Sequence, residues 1–205
     1  MTPLPEDADP RDPRWSIAYL ELAHGMVLAG AKAKLIERHT HLPHRRIHEL
    51  YKALRGVVPP AGPLMQGRAD YFALRTNHTS AAWALQCGIF LECYERMQLI
   101  TKTPLHRGWR LLAAFKAYLS ITQKLTEATA TKRLDINQAY ALLAHTAFLT
   151  QTPGAAVKLR RCPACLLKFP TTLSKPLDSQ VCPACTMNAN LQRLSGQGMK
   201  PNRDF

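Results

Sequence analysis

The sequence lacks any long apolar run. Its longest hydrophobic stretches, at 81–85 and 111–115, end in polar or charged residues well before the roughly 18 positions that a membrane-spanning helix needs. The N-terminus is acidic and rich in proline, unlike the start of a signal peptide. We therefore expect a cytoplasmic protein with no membrane segment.

Motifs of enzyme chemistry are missing as well. The sequence has no glycine-rich phosphate loop, no nucleophile elbow and no convincing pair of carboxylates for acid–base chemistry. In the zinc-protease motif a glutamate directly follows the first of two histidines, but here Glu49 follows the second. We expect no enzyme, and we interpret the local histidines as exposed or phosphate-facing. These are His39, His41, His44 and His48.

Acidic residues are few relative to basic ones. Fourteen Asp and Glu stand against 27 Lys and Arg, and the formal net charge is +13. Residues from 155 onward hold eight basic and two acidic side chains, so the last quarter of the chain carries about half of the excess. This balance favours a polyanionic partner, either nucleic acid or an anionic membrane face, although a merely basic soluble protein fits equally well.

Cysteine is sparse, and four of the six cysteines form two CPAC motifs separated by 16 residues. Two residues between thiolates allow a tight turn that places both sulfurs on one edge of a tetrahedral ion. Four thiolates leave no open coordination position, which predicts one structural zinc ion; a dithiol redox centre and an iron–sulfur cluster are the alternatives. The predicted ligands are Cys162, Cys165, Cys182 and Cys185. Cys87 and Cys93 lie in an apolar stretch and are expected to be buried free thiols.

Basic residues surround the predicted zinc site. The few apolar residues between the motifs cannot support a core, so metal binding should supply folding free energy on the order of 10 kcal/mol. A loop that is stiffened by metal and carries cations is suited to phosphate contact, with simple solubilisation as the alternative. The candidate phosphate contacts are Lys158, Arg160, Arg161, Lys168 and Lys175.

Helical periodicity predicts a mainly α fold with a small C-terminal zinc-ribbon-like module. We expect a flexible lead-in at 1–15, a helical partner-binding and DNA-binding domain at 16–152, a four-cysteine module at 153–192 and a tail at 193–205. A single helix at 16–38 carries two apolar stripes; the second stripe fits either a partner subunit or further burial in the core. Later helices are expected at 77–99, 105–123 and 136–150, with a loop at 126–133.

A break near residue 40 leads to another predicted helix at 43–55. Ile47, Leu50, Tyr51 and Leu54 have the spacing of a face that packs on a core. A short helix after a brief break, with cations near its start, resembles a helix-turn-helix recognition element, although a solvated helix face has the same pattern. The candidate DNA contacts here are Arg45, Arg46 and Lys52.

Several segments together resemble one protein family. The most specific is LYKALRG at 50–56, with RI at 46–47 before it and PPAG at 59–62 after it. Further matches in the same order are DYF at 70–72, Asn77, KAY at 116–118 and NQAYALL at 137–143. Over about residues 16–190 the chain resembles FlhC, the C subunit of the bacterial flagellar master transcriptional activator.

The resemblance implies a specific assembly. An FlhC subunit would join an FlhD-like partner in a complex of four FlhD and two FlhC chains, bind promoter DNA upstream of flagellar operons and activate transcription with RNA polymerase. The family's zinc ligands correspond to the four cysteines of the two CPAC motifs. The competing interpretation is a structural zinc-ribbon adaptor that makes only protein contacts.

Overall fold

The computed structural model is mainly helical, as predicted. It describes residues 4–64, 79–100, 106–129, 133–151, 157–172, 181–182, 185–186 and 189. The helices in these residues are α1 (Pro13–Leu28), α2 (Ala33–Thr40), α3 (His44–Arg55), α4 (Thr79–Ile100), α5 (Arg107–Thr129) and α6 (Ile136–Gln151). The strands are β1 (Val157–Arg161) and β2 (Lys168–Thr172). None of the helices described is both long and apolar enough to span a bilayer.

The expected helix at 16–38 is two helices, so that prediction was wrong. Helix α1 ends at Leu28, and Gly30, two residues later, adopts a positive φ of 80°. The amides of Gly30 and Ala31 donate to the carbonyls of Val27 and Met26, each at 3.0 Å, which is the Schellman pattern that closes a helix. A glycine adopts this conformation without steric cost, so its local preference outweighs the apolar periodicity on either side.

The linker between α1 and α2 is fixed by a residue from the far end of the helical part. The side chain of Asn137 accepts from the amide of Lys32 at 2.8 Å and donates to the carbonyl of Gly30 at 3.2 Å. Asn137 is itself buried, so both bonds form away from solvent. The bend after α1 is thus tied to α6.

The helix–break–helix near residue 40 is confirmed. Helix α2 ends at Thr40, the next residue, His41, has a φ of 55°, and α3 begins directly after Pro43. Ile47 and Tyr51 of α3 are fully buried, and the Tyr51 hydroxyl donates to the carbonyl of Ala31. One face of α3 is therefore held against α1 and α2, and its basic residues lie on the exposed side.

Capping explains where α6 begins, and propensity explains why α5 runs further than expected. Asp135 accepts from the amide of Gln138 while the Gln138 side chain accepts from the amide of Asp135, both at 2.9 Å, which is a reciprocal capping box.

Helix α5 continues to Thr129, through part of the segment expected to be a loop at 126–133. Its polar residues extend the helix because no proline or glycine interrupts them.

The core lies where α4 and α5 pack together, and α1 packs on α5. Phe90 and Tyr118 are fully buried, and the Tyr118 hydroxyl donates to Gln86 and accepts from the amide of Leu134. The residues before α1 also contact this body, since Leu4 is fully buried and its carbonyl accepts from the amide of His106 at 2.9 Å.

His39 departs from the expectation that the local histidines are exposed. It is 9% exposed, and its Nε2 has no hydrogen-bond partner among the described residues. Gly108 of α5 makes room for it, because a Cβ at that position would lie 2.7 Å from the Cβ of His39. Burial lowers the pKa of His39, and repulsion from neighbouring positive groups, most of all His106, lowers it further. Together they move the pKa from 6.5 to about 4.

This burial predicts a pH-dependent stability. The unfolded chain binds a proton at His39 more readily than the folded chain between pH 6.5 and about 4, so the free energy of unfolding falls as pH drops through this window. We expect the wild type to lose about 2 kcal/mol more than His39→Leu between pH 7 and pH 5, measured by urea unfolding. His24→Gln, at an exposed histidine, should behave as wild type. An unchanged pH dependence in His39→Leu would contradict the assignment.

Candidate metal centre and basic hairpin

The first CPAC motif forms the tip of a β-hairpin. Strands β1 and β2 pair in antiparallel register, with Arg161 opposite Lys168 at the last pair before the tip. At the tip the amide of Cys162 donates to the carbonyl of Leu167 at 3.0 Å, and the amide of Leu166 donates to the carbonyl of Cys162 at 2.8 Å. The strands thereby fix the direction in which the first two cysteines point.

The four predicted ligands converge. All four sulfurs lie within 4.8 Å of one another, with 3.9 Å between Cys162 and Cys185 and 3.4 Å between Cys165 and Cys182. Sulfurs about 2.3 Å from one tetrahedral ion would lie about 3.8 Å apart. All six cysteines are free, and the four sulfurs are too far apart for a disulfide. The cluster can therefore hold a single metal ion.

Backbone amides already favour a negative charge on one sulfur. Burial raises the pKa of Cys162, but donation from the amides of Cys182, Cys165 and Ala164 outweighs this and lowers it to about 6. Burial instead raises the pKa of Cys182 to about 12, and hydrogen bonding with Cys165 raises that of Cys185. An incoming cation would find one thiolate ready and displace protons from the others.

Among the described residues, the cluster that packs around the sulfurs is small. Cys162 and Cys182 are fully buried, Phe169 is 2% exposed, and Cys185 packs against them. This group is separate from the large helical core. A cluster of this size buries too little apolar surface to order the hairpin tip by itself, so metal ligation is the main candidate for doing so.

The hairpin lies directly on α4, at a position that sequence reasoning missed. A Cβ on Gly88 would come within 2.2 Å of the carbonyl oxygen of Lys168 and 3.2 Å of Leu167. Any side chain at position 88 would therefore push the strand away. The only sequence signal was a lone glycine inside a helical stretch, which often marks such a close approach.

An ion pair supports the same contact. The ammonium of Lys168 pairs with the carboxylate of Glu95, which lies on α4. Lys168 is mostly buried and its charge is engaged within the chain. Its proximity to Glu95 was not readable from the sequence, because the two residues are 73 positions apart.

The other candidate cations differ in their surroundings. Arg160 and Arg161 are exposed, directly before the first ligand. Only the backbone of Lys158 is described, and Lys175 lies outside the described residues. On α3, Arg45 and Arg46 pair with Glu49 at 3.3 and 3.1 Å and remain highly exposed, and Lys52 is exposed as well. The hairpin packs on α4 and α6, whereas α3 packs on α1 and α2.

Comparison with known proteins gives a consistent result. A family profile described as "Flagellar transcriptional activator (FlhC)" matches residues 16–195. The chain is 25% identical over 176 residues to the flagellar transcriptional regulator FlhC of Cupriavidus pinatubonensis, covering 84% of this chain and 74% of that one. It is also 25% identical over 167 residues to the Serratia marcescens protein of the same name, covering 81% and 77%.

The geometry predicts that loss of one ligand removes the ion. Cys162→Ser should abolish stoichiometric metal binding and expose residues 157–185 to limited proteolysis, because the apparent binding free energy of such sites, about 10 kcal/mol or more, is also folding free energy. Cys93→Ser, at a buried cysteine outside the cluster, is the matched control and should keep one ion per chain. Unchanged metal content and protease resistance in Cys162→Ser would contradict the assignment.

Proposed function

Because this chain belongs to the FlhC family of flagellar transcriptional activators, we propose that it is a cytoplasmic DNA-binding subunit. With an FlhD-like partner it binds flagellar operon promoters and recruits RNA polymerase. The observation that carries the DNA-binding proposal is the pair of exposed arginines, Arg160 and Arg161, that leads directly into the four-cysteine cluster.

We propose that the ion is zinc and that its role is structural. Four thiolates in a tetrahedral set suit Zn²⁺, and sulfurs within 4.8 Å leave no room for several iron atoms between them. All four sulfurs face one point, whereas a dithiol redox centre needs only one reactive pair. With four protein ligands no position is open to water or substrate, so the ion shapes the surface and takes no part in chemistry.

The hairpin formed by β1 and β2 is the proposed phosphate-binding surface of the module at 153–192. Arg160 and Arg161 lie at the end of a paired strand, one step from a ligand, so their backbone would be fixed before DNA arrives. A guanidinium pairs with phosphate through two parallel hydrogen bonds, and a preorganised pair loses less entropy on binding. Lys158 and Lys175 belong to the same proposed surface. Lys168 would contribute mainly by fixing the hairpin on α4, because Glu95 occupies its charge.

Helix α3 is the proposed second contact, in the helical domain at 16–152. Ile47 and Tyr51 hold it against the body, as the recognition helix of a helix-turn-helix must be held. Glu49 orders the guanidinium groups of Arg45 and Arg46 on the exposed side. Arg45, Arg46 and Lys52 are thus candidates for base or backbone contacts.

An exposed apolar face on α1 is the proposed binding site for the FlhD-like partner. Ile17, Leu20 and Leu28 are 71, 42 and 56% exposed. They fall on one side of the helix, opposite the buried Tyr19, Leu22 and Met26. Isolated exposed apolar residues are common, but three on one helical face are typical of a surface that is buried in a subunit interface. The family stoichiometry of four FlhD and two FlhC chains is the proposed assembly.

The DNA-binding proposal predicts a salt-dependent effect of the hairpin arginines. In the complex with the partner, Arg160→Gln/Arg161→Gln should weaken binding to a flagellar promoter fragment about 10- to 100-fold and reduce the slope of log affinity against log salt by about 2. The matched control is Arg11→Gln/Arg14→Gln, which removes the same charge from exposed residues of the acidic N-terminal segment and should bind nearly as wild type.

Two outcomes would overturn the proposal. An equal loss of DNA affinity in the hairpin variant and in the control variant would mean that binding depends only on the net charge of the protein. A wild-type complex with no footprint, and no preference for promoter over random DNA at moderate salt, would favour the adaptor that contacts only proteins.

The partner proposal predicts a separate defect. Ile17→Lys/Leu28→Lys should reduce the affinity for the coexpressed FlhD-like subunit at least about 10-fold, because two charges would be desolvated at the interface. Native mass measurement would detect loss of the hetero-oligomer. Ile121→Lys, at an equally exposed apolar residue of α5, is the control and should assemble normally. Normal assembly of the α1 variant would place the partner elsewhere.

A further inference from the structure

The first two turns of α3 carry a pair of histidines outside the four-cysteine cluster. His44 and His48 are both exposed and lie one helical turn apart. Their Nε2 atoms are 2.9 Å from each other, and their ring centroids are 4.5 Å apart. The two side chains therefore converge although both are free to point into solvent.

This spacing matches two adjacent ligands of one metal ion. Two imidazole nitrogens about 2.0–2.1 Å from an ion, at a right angle to each other, lie about 2.9 Å apart. Right-angled nitrogen coordination is the preference of tetragonal Ni²⁺ and Cu²⁺, whereas tetrahedral Zn²⁺ would separate the nitrogens to about 3.3 Å. The 2.9 Å between the Nε2 atoms of His44 and His48 is a hydrogen-bond distance, and it shows that both nitrogens reach the same place. The choice of Ni²⁺ or Cu²⁺ rests on two imidazole ligands with the other coordination positions open to water.

From this geometry we propose that His44 and His48 form a second metal site, which takes a tetragonal divalent transition-metal ion of the Ni²⁺ or Cu²⁺ type. Without an ion the two nitrogens share one hydrogen bond, in which one ring donates and the other accepts. On binding, the donating ring moves its proton to Nδ1, and both Nε2 lone pairs face the ion; water fills the remaining positions.

The surroundings permit a cation at this place. Arg45 and Arg46 lie between the two histidines in sequence, and their positive charge opposes a bound ion. Both guanidinium groups turn toward Glu49, at 3.3 and 3.1 Å from its carboxylate, which balances part of that charge. Helix α3 is fixed by buried Ile47 and Tyr51, so the ligands are held one turn apart before the ion arrives.

The site is independent of whether α3 contacts DNA, and it differs in chemistry from the cluster of four thiols. Imidazole nitrogens with open water positions suit nickel or copper, and four thiolates suit zinc. The two sites can therefore be loaded separately, with the thiol cluster filled first.

The test uses the full chain with its thiol cluster loaded with zinc and Ni²⁺ as the probe. Equilibrium dialysis should show one additional Ni²⁺ per chain, with no zinc released. His48→Gln and His44→Gln should each weaken this Ni²⁺ binding at least about 10-fold, because one histidine cannot chelate. His24→Gln, which removes a lone exposed histidine of α1, is the matched control and should bind as wild type.

Paramagnetic Ni²⁺ should also broaden the ring proton signals of His44 and His48 before those of His24. The proposal is overturned if the His48→Gln and wild-type chains take up Ni²⁺ equally, if the wild type has no saturable extra site, or if Ni²⁺ uptake is matched by released zinc.

Discussion

The convergence of four thiols on one point is the constraint on which the C-terminal part of this protein depends. Their sulfurs lie within 4.8 Å of one another although the first and last ligands are 23 positions apart. The hairpin tip, the adjacent arginines and the small core around Phe169 all take their places around this cluster. Because the described residues around the sulfurs bury little apolar surface, metal ligation is the proposed main source of the free energy that orders the hairpin tip.

The helical body fixes where that surface is presented. Gly88 lets the hairpin strand contact α4 without an intervening side chain, and the pair between Lys168 and Glu95 holds it there. Elsewhere in the helical body, Asn137 and Tyr51 fix the bend after α1 and the position of α3. Both candidate DNA-binding regions are thus attached to the same core by buried or tightly packed groups.

The sequence was informative where the signal is local and less so where distant residues meet. The two CPAC motifs identified the four sulfurs that converge, and the start of α6 at residue 136 was predicted correctly, because both signals act over a few residues. The helix at 16–38 was predicted wrongly because apolar periodicity was given more weight than Gly30. The pairing of Lys168 and the burial of His39 depend on Glu95 and Gly108, which are distant in sequence, so local patterns could not reveal them.

Metal exchange can test whether the proposed ion shapes a DNA-binding surface without taking part in chemistry. Cd²⁺ also accepts four thiolates in a tetrahedral set, so a cadmium-loaded complex should retain the hairpin and bind promoter DNA with an affinity within a few-fold of the zinc form. The metal-free complex should lose most of that affinity. Equal binding by the metal-free complex, or loss of binding in a cadmium form that keeps its fold, would contradict the account.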